Sequence, residues 1–415
     1  MERMEEYVVD ADDQSLQYML TEASWDDRAV MAQVARDVDR VLGGSDESCL
    51  LIDETSFAKK GKYSVGVARQ WCGRMGKIDN CQVGVFAALG RGHRSSIVDY
   101  RLYLPESWAD DEKRCKKAGI PQAERIFKTK SEQALEMVVR QRQQGIRFSW
   151  VGADGGYGKE PAFLRGLDDL QETFVVDVHK DQRVYLEDPK PVIESKEPAS
   201  RGRKRTRYTS QSRAIRVDQW AAEQPTEAWK SHTLRDATQG ELRVQILHQR
   251  IWLWDHKESQ ARHWHLIVRR ELGSPTTLKY TLSNASETTM PHQLAKMQGQ
   301  RFWIEQSFRD GKSEAGMADY QARKWSAWHH HMALVSMAML FMLEQREKHQ
   351  DDYPLLSCND IEQLLRAFLP RRDIEHEEVL RQMHERHRRR QSAIDSAFKK
   401  QRESRRGDSV TNLTK

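Results

Sequence analysis

The stretch of sequence that decides the fold is CLLIDETSFAKKG, residues 49–61. It opens on an apolar run, Cys49 to Ile52, that has the length of a buried β-strand. Asp53 follows this run directly, so the pattern predicts a strand that carries a carboxylate at its end.

The pattern around this strand predicts a mixed sheet flanked by helices. A helical spacing of apolar residues covers 14–43 and stops at two glycines. The strands predicted after Asp53 and before residue 110 are 63–71, 81–89 and 97–104, and they are followed by a helix at 131–144, a strand at 148–153, a helix at 161–170 and a strand at 174–178. This order is that of a ribonuclease-H-like α/β fold.

The composition and the residue pattern of the chain change after residue 178. Residues 186–213 are rich in Pro, Lys, Arg and Ser, which predicts a loop, whereas residues 229–283 alternate as antiparallel strands do. Helices resume near Met290. We therefore expect five segments: a helical N-terminal region at 1–45, the first part of the catalytic core at 46–182, an inserted basic loop and antiparallel β domain at 183–288, the final core helices at 289–345 and a helical basic C-terminal region at 346–415.

Composition narrows the class of protein. The 415 residues include 67 Lys and Arg against 62 Asp and Glu, a net charge of +5. The basic tail Arg386 to Arg406 indicates either a polyanionic partner or a solvated end. The five cysteines form no Cys-x-x-Cys pair, which argues against a zinc site and a disulfide framework. The longest apolar run, 332–343, is too short for a membrane span, which needs roughly 20 apolar residues, so we expect a cytoplasmic protein with no membrane partner.

Three acids are placed for metal-dependent phosphoryl transfer. Asp53 and Asp154 each end a predicted strand, and Glu305 lies on the helix after the β block. Two-metal catalysis needs several carboxylates that converge on one point. Two glycines after Asp154 are expected to let the backbone turn sharply. Taken singly, an Asp at a strand end is also a common turn or cap residue.

The predicted helix around Glu305 has a charged face. Arg301, Glu305, Phe308 and Lys312 recur at spacings that bring them to one side of a helix. Such a face suits a metal ion and its neighbouring phosphates. A solvated, salt-bridged helix surface would have the same pattern.

With these motifs in place, the chain resembles the DDE superfamily endonucleases of bacterial insertion sequences. The resemblance rests on LIDETSFAKKG at 51–61 with SVGVARQ at 64–70 and DNCQVGV at 79–85, on VGADGGYG at 151–158, and on WIEQSFRDGK at 303–312. It implies that Asp53, Asp154 and Glu305 are the catalytic metal ligands and bind two Mg²⁺ ions, with Mn²⁺ able to substitute. Asp53 matches the first metal-binding acid of this family better than the neighbouring Glu54 does.

The same resemblance extends to the Tyr-Arg-Glu-Lys signature of the hairpin-forming cut-and-paste group. Arg301, Glu305 and Lys312 match it, whereas Gln298 stands at the Tyr position. In that group the first two positions contact terminal DNA phosphates. A Trp stacks on an extruded base in some relatives, for which the candidates here are Trp252, Trp254 and Trp303, although core packing is the favoured explanation for them.

The resemblance also extends the predicted DNA surface. Besides Arg301, Lys312 and Gln298, we expect contacts from Lys59, Lys60, Arg203, Lys204 and Arg205. The three consecutive histidines His329, His330 and His331 are expected to make phosphate or packing contacts. The short segment before Asp53 predicts a reduced end-binding domain, either complete or truncated.

The function implied by the resemblance is that of a DNA transposase. It would cleave transposon ends and transfer the freed strand, acting on double-stranded transposon and target DNA. A homodimer is expected in the synaptic complex, in a bacterial cytoplasm and at the nucleoid when DNA is bound. The alternatives are a ribonuclease-H-like nuclease without transposition and an inactive, domesticated transposase that only binds DNA.

Overall fold

The computed structural model describes residues 8–9, 11–193, 208–237, 240–272, 274–370 and 375–411. The chain divides into two compact units. The larger is Ser24–Gln363, and the smaller joins Met1–Ala23 to Leu364–Lys415.

The secondary structure elements are labelled here in chain order. The strands are β1 Cys49–Ala58, β2 Ala68–Cys72, β3 Lys77–Arg91, β4 Arg94–Leu102, β5 Trp150–Ala153, β6 Phe174–Val178, β7 Arg183–Val184, β8 Ile215–Arg216, β9 Lys230–Ala237, β10 Gly240–Leu253, β11 Arg262–Glu271 and β12 Ser274–Ser283. The helices are α1 Asp13–Thr21, α2 Asp27–Leu42, α3 Glu106–Ala109, α4 Glu112–Ala118, α5 Lys130–Gln143, α6 Gly155–Gly158, α7 Pro161–Asp169, α8 Val217–Ala222, α9 Pro291–Gln300, α10 Phe302–Ser313, α11 Trp325–Lys348, α12 Cys358–Phe368 and α13 His376–Thr411.

The centre of the larger unit is a ten-stranded sheet. Its order is β2-β3-β1-β5-β6-β12-β11-β10-β9, and β4 also pairs with β3. Strands β1, β5 and β6 run parallel, whereas β3 and β4 are antiparallel to their neighbours. The order β4-β3-β1-β5-β6 is the ribonuclease-H-like arrangement, so the fold predicted from the sequence is confirmed.

The antiparallel strands predicted at 229–283 are present, and they continue the central sheet. Strand β12 pairs with β6 through Tyr280↔Val178 to Ser283↔Val175. Strands β11, β10 and β9 then follow as antiparallel neighbours. The insertion therefore supplies one side of the same sheet that carries Asp53 and Asp154, and the five segment boundaries expected from the sequence stay predictions.

Two predicted elements differ from the observed ones. The helix expected over 14–43 is two helices, because Asp26 caps a new one by accepting hydrogen bonds from the amides of Arg28 and Ala29. The strand expected over 63–71 begins only at Ala68. Gly66 has a φ of 71°, a left-handed conformation that interrupts an extended chain.

The buried face of α2 follows its sequence pattern. Met31, Val34, Val38 and Leu42 recur at helical spacing and are all less than 5% exposed. This face packs against α11 and the sheet. Helix α11 contains the apolar run at 332–343, which is buried along most of its length as predicted, although Met337 and Phe341 are exposed. Within the described residues, no helix is long and apolar enough to cross a membrane.

The smaller unit is mostly helical in the residues that the structure describes. It contains α1 and the 36-residue helix α13. Arg389 of α13 forms an ion pair of 2.8 Å with Asp13 of α1. A basic residue of the C-terminal tail therefore pairs with an acidic residue of the N-terminal segment within this unit.

The glycines after Asp154 act differently from the expected sharp turn. Gly155 and Gly156 have no left-handed backbone and instead begin α6. The residue that requires glycine is Gly158, where a Cβ would lie 1.9 Å from the carbonyl oxygen of Asp177. The close approach of α6 to β6 therefore depends on a missing side chain.

We expect Gly158→Ala to destabilise the protein by about 3 kcal/mol or more, because a backbone oxygen cannot swing aside as a flexible side chain can. Urea denaturation is the measurement. Gly73→Ala is the matched control, since no atom lies within 4 Å of its added Cβ. Equal unfolding midpoints for the two variants would contradict the packing described.

Candidate active site

Asp53 lies on the face of β1 that meets α10. Side chains alternate along a strand, so Asp53, Thr55 and Phe57 share this face while Glu54 points to the other. Thr55 accepts a hydrogen bond from Lys312 of α10. Glu54 instead pairs with Lys130 of α5. The pleat of β1 thus separates the two adjacent acids and directs only Asp53 toward the helix of Glu305.

Asp154 lies beside Asp53 because β1 and β5 are parallel neighbours. Their register pairs Ile52 with Ala153, so the two aspartates are the next residues along both strands. Asp154 is also the N-cap of α6, where its Oδ1 accepts from the amides of Gly156 at 2.9 Å and Tyr157 at 3.4 Å. Only one carboxylate oxygen is used in capping, which leaves Oδ2 for another ligand.

Arg301 links the carboxylates of three elements. Its guanidinium lies 3.4 Å from Asp53 Oδ2, 3.4 Å from Asp177 Oδ2 and 2.9 Å from Glu305 Oε1. The arginine immediately precedes α10, one helical turn before Glu305. The predicted helix face therefore packs on β1, with Phe308 buried against Phe86 at 5.3 Å between ring centroids.

The electrostatics of Asp53 report a cluster of negative charge. The pKa of Asp53 is raised to about 7, mainly by burial and also by the neighbouring charges of Asp154 and Glu305, against the lowering effect of Arg301. Asp53 is only 8% exposed. One guanidinium does not fully compensate this group of acids, so the site favours additional positive charge.

Asp177 is a site residue that the sequence reasoning missed. It lies on β6, and its Oδ1 accepts hydrogen bonds from Thr281 at 2.7 Å and Gln298 at 2.8 Å. A polar residue within the apolar run FVVDV at 174–178 was the available signal. Its meaning depended on the contact with Arg301, which is distant in sequence.

Gln298 occupies a buried position beneath Arg301. It is 6% exposed, and its amide nitrogen donates to both Asp177 and Thr281. Through these hydrogen bonds Gln298 helps to position the carboxylate of Asp177. Its contact with a DNA phosphate stays a prediction.

The predicted basic residues fall in different surroundings. Lys312 reaches Thr55, two residues from Asp53, and burial lowers the pKa of its ammonium group. Lys59 donates to the carbonyl of Tyr320, whereas Lys60 is exposed. Arg203, Lys204 and Arg205 lie outside the described residues. Among these cations, the structure brings Lys312 and Arg301 to the carboxylates.

The consecutive histidines make packing contacts. His329 lies within hydrogen-bond distance of the carbonyl of Trp325 at 2.9 Å, and His331 of Gly316 at 3.1 Å. His330 reaches the carbonyl of Trp25. They belong to the interior of the fold.

The tryptophans proposed for base stacking have partners of their own. Trp254 is 6% exposed and donates to the carbonyl of Glu258. Trp252 stacks on His263, with ring centroids 4.4 Å apart. Trp303 packs edge-on against Phe302. Core packing therefore accounts for Trp254, while Trp303 adjoins Glu305 in α10.

The donor set suits a hard divalent cation. Carboxylate oxygens are the ligands that Mg²⁺ and Mn²⁺ prefer, and Asp154 and Glu305 lie near enough to Asp53 to raise the pKa of its carboxyl group. In the part of the chain that the structure describes, no three His, Cys, Asp or Glu side chains already converge in metal-binding geometry. Arg301 is paired with two of the three acids, so metal binding would require those ion pairs to rearrange.

The chain is similar to a family model, to a curated relative and to a solved structure. A family model described as DDE superfamily endonuclease matches residues 1–241. A probable transposase for insertion sequence element IS701 from Microchaete diplosiphon is 24% identical over 314 residues, which cover 74% of this chain and 68% of that protein. The NurA nuclease from Sulfolobus solfataricus aligns with 82% of this chain and 98% of its own, with a TM-score of 0.28 and 8% identity. Because the family model matches more than half of the sequence, the chain belongs to the DDE superfamily endonucleases.

Proposed function

We propose that this endonuclease is a DNA transposase that cleaves the ends of its own mobile element and transfers the freed strand. The observation that carries the proposal is the gathering of Asp53, Asp154 and Glu305 around Arg301 at the centre of a ribonuclease-H-like sheet. The three acids come from β1, the end of β5 and α10. Carboxylates that lie close together repel one another, so their proximity does not stabilise the fold by itself.

Asp53, Asp154 and Glu305 are the residues that would hold two divalent metal ions, Mg²⁺ or Mn²⁺. Bound there, the ions would supply a more acidic water and neutralise charge on the phosphate oxygens. Asp154 contributes the oxygen that capping leaves unused. Glu305, with its side chain 50% exposed, is the ligand most able to change its partner.

The protein's own cations would position the DNA. Lys312 lies at the end of α10 nearest Thr55, and Arg301 bridges the acids at its beginning. Once the acids bind metal, Arg301 has donors to offer a phosphate, and its planar guanidinium suits that geometry. These contacts would hold the reacting phosphodiester in line with its attacking oxygen.

The proposed chemistry is two successive displacements at phosphorus. Water attacks a phosphodiester at the transposon end, the P–O3′ bond breaks, and the leaving oxygen takes a proton to become a 3′-OH. That hydroxyl attacks a phosphodiester in the opposite strand or in target DNA, and a second 3′-OH leaves. No covalent bond to the protein is formed. Two ends must meet for this reaction, so we propose a homodimer on double-stranded DNA.

Cleavage of a supercoiled plasmid that carries the element's flanking DNA tests this proposal. With Mg²⁺, we expect breaks at the element's ends and products in which a freed 3′ end is joined to new DNA. Sequencing of the junctions locates both events. Cutting without regard to the ends would point to a plain nuclease, and DNA binding without any cutting would point to a domesticated protein.

A further inference from the structure

A small cavity beside Glu305 contains cations that the proposed mechanism does not use. Its volume is about 90 Å³, roughly three times the share of one water molecule. Arg235 of β9, Arg269 of β11 and Lys279 of β12 line it, together with Asp177, Glu271 and Glu305. The inserted strands thus bring basic residues to the edge of the carboxylate cluster.

Arg269 is buried without a partner of opposite charge. It is 5% exposed, its Nη1 has no hydrogen-bond acceptor, and no carboxylate of the described residues lies within ion-pair distance of it. A buried guanidinium left unpaired costs several kcal/mol, so a fold retains one only where something else repays it. Its closest surroundings include Gly299 of α9, where an added Cβ would lie 3.8 Å from Nη1.

The like-charged neighbours of Arg269 add to the free-energy cost of burying its guanidinium group. Lys279 is its directly opposite residue on β12, and like charges in that position destabilise a strand pair. Burial is the main cause that lowers the pKa of Arg269; Asp177 and Glu271 act in the other direction, and repulsion from Arg235 and Arg301 adds to the lowering. With Arg301, four cations among the described residues line the cavity against the three carboxylates of Asp177, Glu271 and Glu305, and two of these acids are already paired with Arg301.

Arg235 is held in place by rings and keeps its donors free. Its guanidinium lies over Phe302 at 4.5 Å and over Trp303 at 4.9 Å, both at the start of α10. Its Nε has no hydrogen-bond partner among the described groups. Stacking engages the face of a guanidinium and leaves its N–H groups in the plane available to an anion.

We propose that Arg235, Arg269 and Lys279 form a subsite for a backbone phosphate of the DNA substrate, next to the phosphodiester held at the carboxylates. Two guanidinium groups and an ammonium group are opposite in charge to a phosphodiester and can donate hydrogen bonds to its oxygens. This inference rests on the proposed function, since it takes DNA as the ligand. It assigns to the inserted strands β9, β11 and β12 a direct part in positioning the substrate.

The test measures binding of a duplex carrying the element's end, in EDTA, over a series of salt concentrations. For Arg235→Gln and Arg269→Gln we expect about tenfold weaker binding, and a salt dependence reduced by about one phosphate contact. Arg270→Gln is the matched control, because Arg270 points to the other face of β11 and lies over Trp229. Arg235 is partly exposed, so its variant stays informative if the Arg269 variant fails to fold.

Inorganic phosphate is the second probe. We expect millimolar phosphate to raise the melting temperature of the wild type more than that of Arg235→Gln. Unchanged DNA affinity and salt dependence in both variants would overturn the inference, and a phosphate effect with no change in DNA binding would overturn DNA as its ligand. The binding measurement is made in EDTA and does not depend on cleavage. A wild type that binds DNA but never cleaves it with Mg²⁺ would therefore contradict the proposed function, and the binding of the variants could still be compared.

Discussion

Asp154→Asn is expected to reduce DNA cleavage by on the order of 10³-fold while the protein remains folded. Asparagine caps a helix as well as aspartate does, so the bond to the Gly156 amide at 2.9 Å is kept. What is lost is the negative charge that would hold a metal ion. A bound metal contributes several kcal/mol to such a reaction, and each 1.36 kcal/mol corresponds to a factor of ten in rate.

The control for this variant is Asp111→Asn. Asp111 caps α4 in the same way, accepting from the Arg114 amide at 2.9 Å, and lies away from the carboxylates. Its cleavage rate should equal that of the wild type, and both variants should bind DNA normally. If Asp154→Asn cleaved within about tenfold of Asp111→Asn, Asp154 would not be a metal ligand.

Asp53→Asn is expected to stabilise the metal-free protein at pH 8 while abolishing cleavage. The pKa of Asp53 is raised from 3.8 to about 7 by burial and by Asp154 and Glu305. The folded state therefore binds the proton more tightly, and the stability due to this group is present below pH 4 and lost as the pH rises through 7. Removing the charge should recover on the order of 1–3 kcal/mol at pH 8, partly offset by the lost contact with Arg301.

Thermal unfolding in EDTA at pH 5 and pH 8 measures this effect. The advantage of Asp53→Asn should be clear at pH 8 and shrink at pH 5, where the wild-type carboxyl is already protonated. Asp79→Asn is the control, because Asp53 and Asp79 each accept a hydrogen bond of 2.7 Å from the amide of the next residue. Asp79 is partly exposed, and neighbouring hydrogen bonds lower the pKa of its carboxyl group. A wild type more stable than Asp53→Asn at pH 8 would contradict the raised pKa of Asp53 in the folded protein.

The local parts of the site could be predicted from the sequence. Asp53 and Asp154 each follow an apolar run, and parallel pairing of the two strands makes them neighbours. The helix face of Arg301, Glu305 and Lys312 follows from its spacing alone. The spacing does not predict whether that face contacts solvent or a sheet. The hydrogen bond from Lys312 to Thr55 of β1 shows that it contacts the sheet.

The remaining parts depend on contacts between distant segments. Asp177 looks like an isolated polar residue until Arg301, Thr281 and Gln298 surround it. The pairing of β12 with β6 leaves no local signature, so an insertion that reads as separate antiparallel strands instead widens the central sheet. The start of a second helix could have been predicted from Asp26, a typical N-cap residue within the longer apolar pattern.

The central claim is that Asp53, Asp154 and Glu305 form one metal-binding site. A crystal structure of the protein with Mn²⁺, in which anomalous scattering locates the ions, tests it most directly. We expect manganese bound by oxygens of Asp53 and Asp154, with Glu305 turned from Arg301 toward the metal. Manganese bound elsewhere, with the ion pairs of Arg301 to Asp53 and Glu305 unchanged, would contradict the account.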